Sequence, residues 1–209
     1  MTDRDLRRIA AHEAAHATLY RDSGRRIETV SIRPGAAHSG ITLLAPMSPE
    51  MRVLADAATS GRHPLDGLMP EASRFALRHI TAVLAGKVAE EIAAPTLGRQ
   101  PTPPEHPEPT IEELAAEPVR VPSPALLASE DVTEEETHSD DDIAFELAFQ
   151  LVGLQARPLL TWLTAEARAT VVRRWSVIEQ VMSTLLVAPH FLDAAAFAAV
   201  YHPPKENPQ

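Results

Sequence analysis

Apolar positions recur at three- and four-residue spacing through most of this chain and alternate in two short stretches. That pattern predicts a mainly α-helical fold carrying a small β-sheet. Asp5 to Tyr20 is rich in Ala, Leu and Arg and free of Pro and Gly, which reads as a helix, with Thr2 and Asp5 as a variant capping box. Asp22-Ser23-Gly24 stops it. Ile27 to Arg33 then alternates with β-branched residues, as a half-buried strand does, and Gly40 to Ala45 reads as its partner. Pro34-Gly35 between them signals a turn, so a β-hairpin is expected directly after the first helix. Met47 to Pro70 is broken by Pro and Gly, and Glu71 to Ala93 is a long helical pattern expected to lie across the core.

The pattern changes between Pro95 and His138, a stretch dense in proline and acids and poor in aromatics. Such a composition buries too little surface to offset the entropy of ordering, so a mobile insert is expected, with only transient helix at Ile111 to Ala116 and Ala125 to Ser129. Order should return at Ser139, whose hydroxyl suits a helix N-cap, followed by Asp140, Asp141 and Asp142 at the positive end of the helix dipole. This helix is expected to reach about Ala156, ahead of Pro158, with further helices over Leu159 to Val187 and Phe191 to Tyr201 and a frayed tail from His202 to Gln209. No internal repeat is visible. The organisation is therefore an N-terminal half (1–94), an insert (95–138) and a C-terminal helical half (139–204).

Two features of composition narrow the chemistry. Cysteine is absent, which removes disulfides, thiolate metal sites and a cysteine nucleophile and leaves His, Asp and Glu as metal ligands. The net charge is −10, from 29 acidic against 19 basic residues, and no basic stripe offsets it, so neither nucleic acid nor an anionic membrane is an expected partner. The start lacks an apolar leader core, and no stretch reads as the roughly 20 apolar residues of a spanning helix. A cytoplasmic protein is expected.

The first helix carries His12-Glu13-Ala14-Ala15-His16. Residues four apart share a helix face, so both imidazoles can reach one ion, while Glu13 stands about 100° round, beside the open coordination position. Zinc in such a site takes a third protein ligand and a water whose pKa drops to about 7, and Glu13 is the expected general base and acid for peptide hydrolysis. Asp140, Asp141, Asp142, Glu90, Glu91 and His138 are candidates for the third ligand, with Glu90 and Glu91 also suited to orienting a ligand histidine. The remaining histidines, His79 among them, lack ligand spacing with one another, and Trp162 and Trp175 read as core.

Several segments resemble the FtsH-type ATP-dependent zinc proteases in their peptidase domain. Ala11-His12-Glu13-Ala14-Ala15-His16-Ala17 is similar to that family's HEAGHA, and Thr29-Val30-Ser31-Ile32-Arg33-Pro34-Gly35 followed by Gly40-Ile41-Thr42 to its next strand, turn and strand. Ala85-Gly86-Lys87-Val88-Ala89-Glu90-Glu91-Ile92 is similar to its GGRxAEE helix, and Asp141-Asp142-Ile143 to the Asn-Asp-Ile whose Asp is the third zinc ligand. The resemblance covers nearly the whole chain except the insert. Ala15 and Ala85 stand where the family has Gly, Lys87 where it has Arg, and the insert is longer than the family's connection.

The resemblance implies a zincin-like helical peptidase domain. It implies Zn2+ held by His12, His16 and Asp142, with Glu13 catalytic, in a zinc-dependent endopeptidase acting on peptides or unfolded and flexible proteins without its own ATPase. The strand following the active helix is expected to align the substrate. Alternative readings are a non-catalytic peptidase-like adaptor or regulator, and a peptidase subunit working with a separate ATPase. The oligomeric state stays open.

Overall fold

The first helix begins where the Thr2–Asp5 spacing places it. Thr2 Oγ1 accepts from the Asp5 backbone N–H and Asp5 Oδ2 accepts from the Thr2 backbone N–H, a reciprocal capping box. The computed structural model describes residues 2–33, 40–59, 70–94, 139–187 and 189–201. In it α1 runs Asp3–Asp22 and ends at Ser23 and Gly24, the latter at φ +90°, a conformation a glycine adopts without a Cβ penalty. Strand β1 (Ile27–Ile32) follows and pairs antiparallel with β2 (Gly40–Leu44), Val30 facing Thr42 and Ile32 facing Gly40. The expected Pro34-Gly35 turn lies outside the described residues.

After the hairpin come α2 (Pro49–Thr59), α3 (Pro70–Ala93), α4 (Asp140–Val152), a 3-10 turn (Gly153–Gln155), α5 (Ala156–Leu185), β3 (Phe191–Asp193) and α6 (Ala194–Val200). The fold is mainly helical with a three-stranded antiparallel sheet in the order β2-β1-β3. The core forms where α1 meets α3 and α5. Ala10, Ala11, Ala14, Ala15 and Ala17 on α1 are fully buried, as are Ala82, Ala85 and Ala89 on α3. Small side chains let these backbones approach closely, and Ile80, Leu163, Val171, Ile178 and Val181 fill the space around them.

Four expectations change. The Pro- and Gly-containing stretch after β2 contains a helix, α2, because Pro49 falls in the first turn, where no backbone donor is needed. α4 ends at Val152 rather than near Ala156, since Gly153 caps it at φ +58°; Pro158 then sits within the first turn of α5 and does not break it. Phe191-Leu192-Asp193 is a strand and not the start of a helix: its backbone pairs with Ser31, Val30 and Thr29, and Asp193 caps α6 by accepting from Ala196 N. β1 is consequently the central strand, flanked on both sides, and β2 is the one nearer α1 with an edge unpaired among the described residues. The proposed insert, Pro95 to His138, and the tail from His202 lie outside the described residues.

Two apolar expectations also shift. Trp162 is 56% exposed, while Trp175 packs against the core. The stretch Asp140–Leu185 contains an 18-residue window of mean hydropathy 1.2, long and apolar enough by those measures alone to cross a membrane; within the fold Leu147, Leu151, Ala156 and Leu163 are buried in the core.

Candidate metal centre

The one-turn spacing of His12 and His16 puts both imidazoles on the α1 face turned toward α3 and the start of α4. Their Nε2 atoms lie 2.9 Å apart, and Asp140 Oδ2, at the first position of α4, lies 3.0 Å from His12 Nε2 and 3.1 Å from His16 Nε2. Three ligand-type atoms from segments 124 residues apart in sequence therefore converge on one point.

The outer hydrogen bonds fix which ring atoms point inward. His16 Nδ1 is 2.8 Å from the Ala82 carbonyl, which can only accept, so Nδ1 carries the hydrogen and Nε2 of the neutral ring presents a lone pair. His12 Nδ1 donates to Glu90 Oε1 at 2.8 Å, and Glu90 Oε2 accepts from Arg8 Nη2 at 2.6 Å. A carboxylate on the far nitrogen of a ligand histidine sets its tautomer and raises its basicity. Two imidazole lone pairs and a carboxylate oxygen facing one another at such distances repel unless a cation lies among them. Tetrahedral zinc needs ligand atoms about 3.3 Å apart, so an opening of a few tenths of an ångström would admit it. Two imidazoles and one carboxylate, with no sulfur, form a donor set that could hold a divalent metal ion, zinc among them.

Without a metal the same charges hold a proton. Burial acts to lower the His12 pKa, but Asp140 and Glu90 outweigh it and raise the ring to about 10. Burial acts to raise Asp140, but the His12 and His16 rings beside it hold its carboxyl well below the usual range. Glu90 is lowered, chiefly by its bond to His12.

Two glycines make room for the site. A Cβ on Gly86 would fall 2.5 Å from His16 Nε2 and 2.7 Å from His12 Nε2, so any larger residue on α3 beneath the two rings would force the rings or the helix to shift. A Cβ on Gly40 would fall 2.6 Å from Cγ of Glu13. Glu13 itself is 6% exposed, and its Oε2 accepts from Thr42 Oγ1 at 2.7 Å, so β2 holds the carboxylate in place from above.

The predicted ligand Asp142 is not brought to the histidines. It occupies the third position of α4, where its Oδ2 accepts from the Ser139 backbone N–H and hydroxyl while the Ser139 hydroxyl accepts from Asp142 N. The Ser-x-x-Asp spacing signals this capping role. With Ser139 as the cap, Asp140 stands two residues before Asp142, on a different side of the helix, facing α1. Asp141 pairs with Lys87 Nζ at 2.5 Å, which ties α4 to α3 beside the site. Glu91 pairs with Arg168 on α5, away from the histidines. His138 lies outside the described residues. No signal in the sequence marked Arg8 or the Ala82 carbonyl.

No protein-family model matches the chain, and no curated protein matches it.

Proposed function

We propose that the chain is a zinc-dependent endopeptidase of zincin-like type, as the resemblance to FtsH-type peptidase domains suggests, with Asp140 in place of Asp142 as third ligand. The observation that carries the reading is the convergence of His12 Nε2, His16 Nε2 and Asp140 Oδ2 beside a buried Glu13.

Zinc bound by these three residues would supply a water acidified to near-neutral pKa and a Lewis acid for a peptide carbonyl. The chain's own groups divide the remaining work. Glu13, held by Thr42, takes a proton from the nucleophile and returns it to the departing amine. Glu90, backed by Arg8, keeps His12 in the tautomer that presents Nε2. The edge of β2 left unpaired among the described residues runs over Glu13 and would offer its backbone groups to an extended peptide, a role expected of the first strand and better suited to the second. Ile41 and Leu43 are exposed on β2 and would flank such a peptide.

The test is metal content by mass spectrometry on the purified chain after zinc reconstitution, with cleavage of casein and of an unfolded peptide followed on the same samples. About one zinc per chain, lost in Asp140→Ala and in His16→Ala, together with cleavage abolished in Glu13→Gln, is the expected result. No zinc in the wild type would sink the metal centre. Zinc without Glu13-dependent cleavage would sink the peptidase reading and leave a metal-binding adaptor.

A further inference from the structure

Helix α5 is apolar on two sides. Leu163, Ala167, Val171, Ile178 and Val181 face inward and are buried in the core. Trp162, Ala165, Ala169 and Val172 lie on the opposite side and are exposed, Trp162 by 56% and Val172 by 60%. At 100° per residue these four fall within a sector of about 80°. Pro158 and Ser176, both exposed and uncharged, prolong the stripe at its two ends. A surface helix keeps its outer side polar, and one that is apolar on both sides is covered on both. An exposed tryptophan beside small side chains is also the kind of feature enriched where proteins meet.

The charges bordering the stripe say what fits it. Along one border run Arg157, Arg168 and Glu179, basic toward the start of the helix and acidic toward its end, and all three are exposed. Along the other run Trp162 and Arg173, also exposed. A copy of the same helix lying antiparallel across the stripe keeps each border on its own side and reverses its order. Opposite charges then meet, whereas a parallel copy would set Arg157 against Arg157 and Glu179 against Glu179.

From this we infer that the outer side of α5 docks a second copy of this chain, antiparallel, about a twofold axis close to Arg168. Arg157 of each copy comes opposite Glu179 of the other, so the pair forms twice. Trp162 comes against Arg173 of the other copy, whose guanidinium can lie over the indole face. Ala165 meets Val172, and the small side chains of Ala165 and Ala169 let the two backbones approach. Arg168 lies beside its own symmetry mate, and Glu91 of the same chain already meets its charge. The docked side of α5 turns away from α1 and α3, so the dimer leaves the candidate metal centre open, and the inference does not depend on the peptidase reading.

The experiment is sedimentation equilibrium of the full chain at physiological salt, with circular dichroism checking that each variant keeps its helix content. One helix pair buries less than the ~800 Å² per partner of a standard interface, so a monomer–dimer equilibrium with a dissociation constant on the order of 10 μM is expected. Trp162→Ala should weaken it by about tenfold or more. Arg157→Glu and Glu179→Arg should each weaken it by about tenfold, because each turns two attractive pairs into two repulsive ones. The double variant Arg157→Glu/Glu179→Arg restores opposite charges and should return to within about threefold of wild type. A chain that stays monomeric up to about 300 μM would overturn the inference. So would a dimer indifferent to Trp162→Ala, which would lie on another face, or a double variant as weak as the single ones, which would exclude the antiparallel register.

Discussion

Asp140 and Asp142 carry the same side chain two positions apart, yet the helix start gives them different work. Asp142→Ala should remove half of a capping box and cost about 1 kcal/mol of stability while leaving zinc binding intact. Asp140→Asn should weaken zinc binding beyond the roughly 10–100-fold typical of losing an outer-sphere partner, with little effect on folding. Metal titration and urea unfolding on both variants check the pair; zinc loss in Asp142→Ala at unchanged fold would sink the assignment. His79 gives a prediction in pH. Burial, helped by the nearby Arg25 charge, lowers its pKa from 6.5 to about 4. The native state therefore keeps it neutral while the unfolded chain protonates it, so its contribution is present above pH 6.5 and is lost as pH falls toward 4. The gap corresponds to at most about 3 kcal/mol. His79→Phe, packed between Tyr20 and Phe75, should lose less stability than wild type between pH 7 and 4.5 in urea unfolding. Equal losses would show that the ring is not held neutral.

At the scale of the element, the glycines decide where chains may approach. Gly86→Ala should push a methyl into both ligand rings and abolish zinc binding, whereas Gly40→Ala should displace Glu13 and abolish cleavage with zinc retained. Metal content and peptide turnover on the two variants separate these outcomes; zinc retention in Gly86→Ala would show that α3 can shift away. The helices α1 and α3 and the hairpin were legible because caps, stops and periodicity act locally: Thr2, Gly24 and the alternation from Ile27 onward need no tertiary partner. β3 was not legible. Phe191-Leu192-Asp193 becomes a strand only because Val30 and Ser31 leave an edge open to it, a contact across more than 150 residues. The site divides in the same way. His12, Glu13 and His16 were legible from helical spacing, whereas the Ser139–Asp142 capping box, which takes Asp142 away from the histidines, went unread. The choice of Asp140 depends on how α4 is set against α1 and α3, through Lys87 and Asp141, which no local pattern encodes.

For the whole molecule, the C-terminal segment is what completes the sheet beside the site, and one polar cluster ties it down. Asp22 at the end of α1 accepts two bonds from Arg174 of α5, at 2.9 and 3.1 Å, and a third from the Tyr201 hydroxyl at 2.5 Å. The Tyr201 ring also receives the Arg174 and Arg21 guanidinium groups at 5.5 and 5.9 Å. Asp22 and Arg174 are mostly shielded, 17% and 13% exposed, so removing one partner leaves the other poorly solvated. Arg174→Met should cost about 3 kcal/mol, near the low end for breaking a buried pair. Tyr201→Phe should cost about 1 kcal/mol, the worth of one hydrogen bond. Because both act on Asp22, their effects should fall short of additive in a double-mutant cycle. The loosening should be local. Hydrogen exchange should quicken over β3 and α6, which this cluster anchors, while α1, α3 and α4 keep their protection and zinc affinity is unchanged. Uniform loss of protection, with zinc binding falling in step, would mean that the C-terminal segment and the metal centre unfold as one unit and that the cluster supports the site directly.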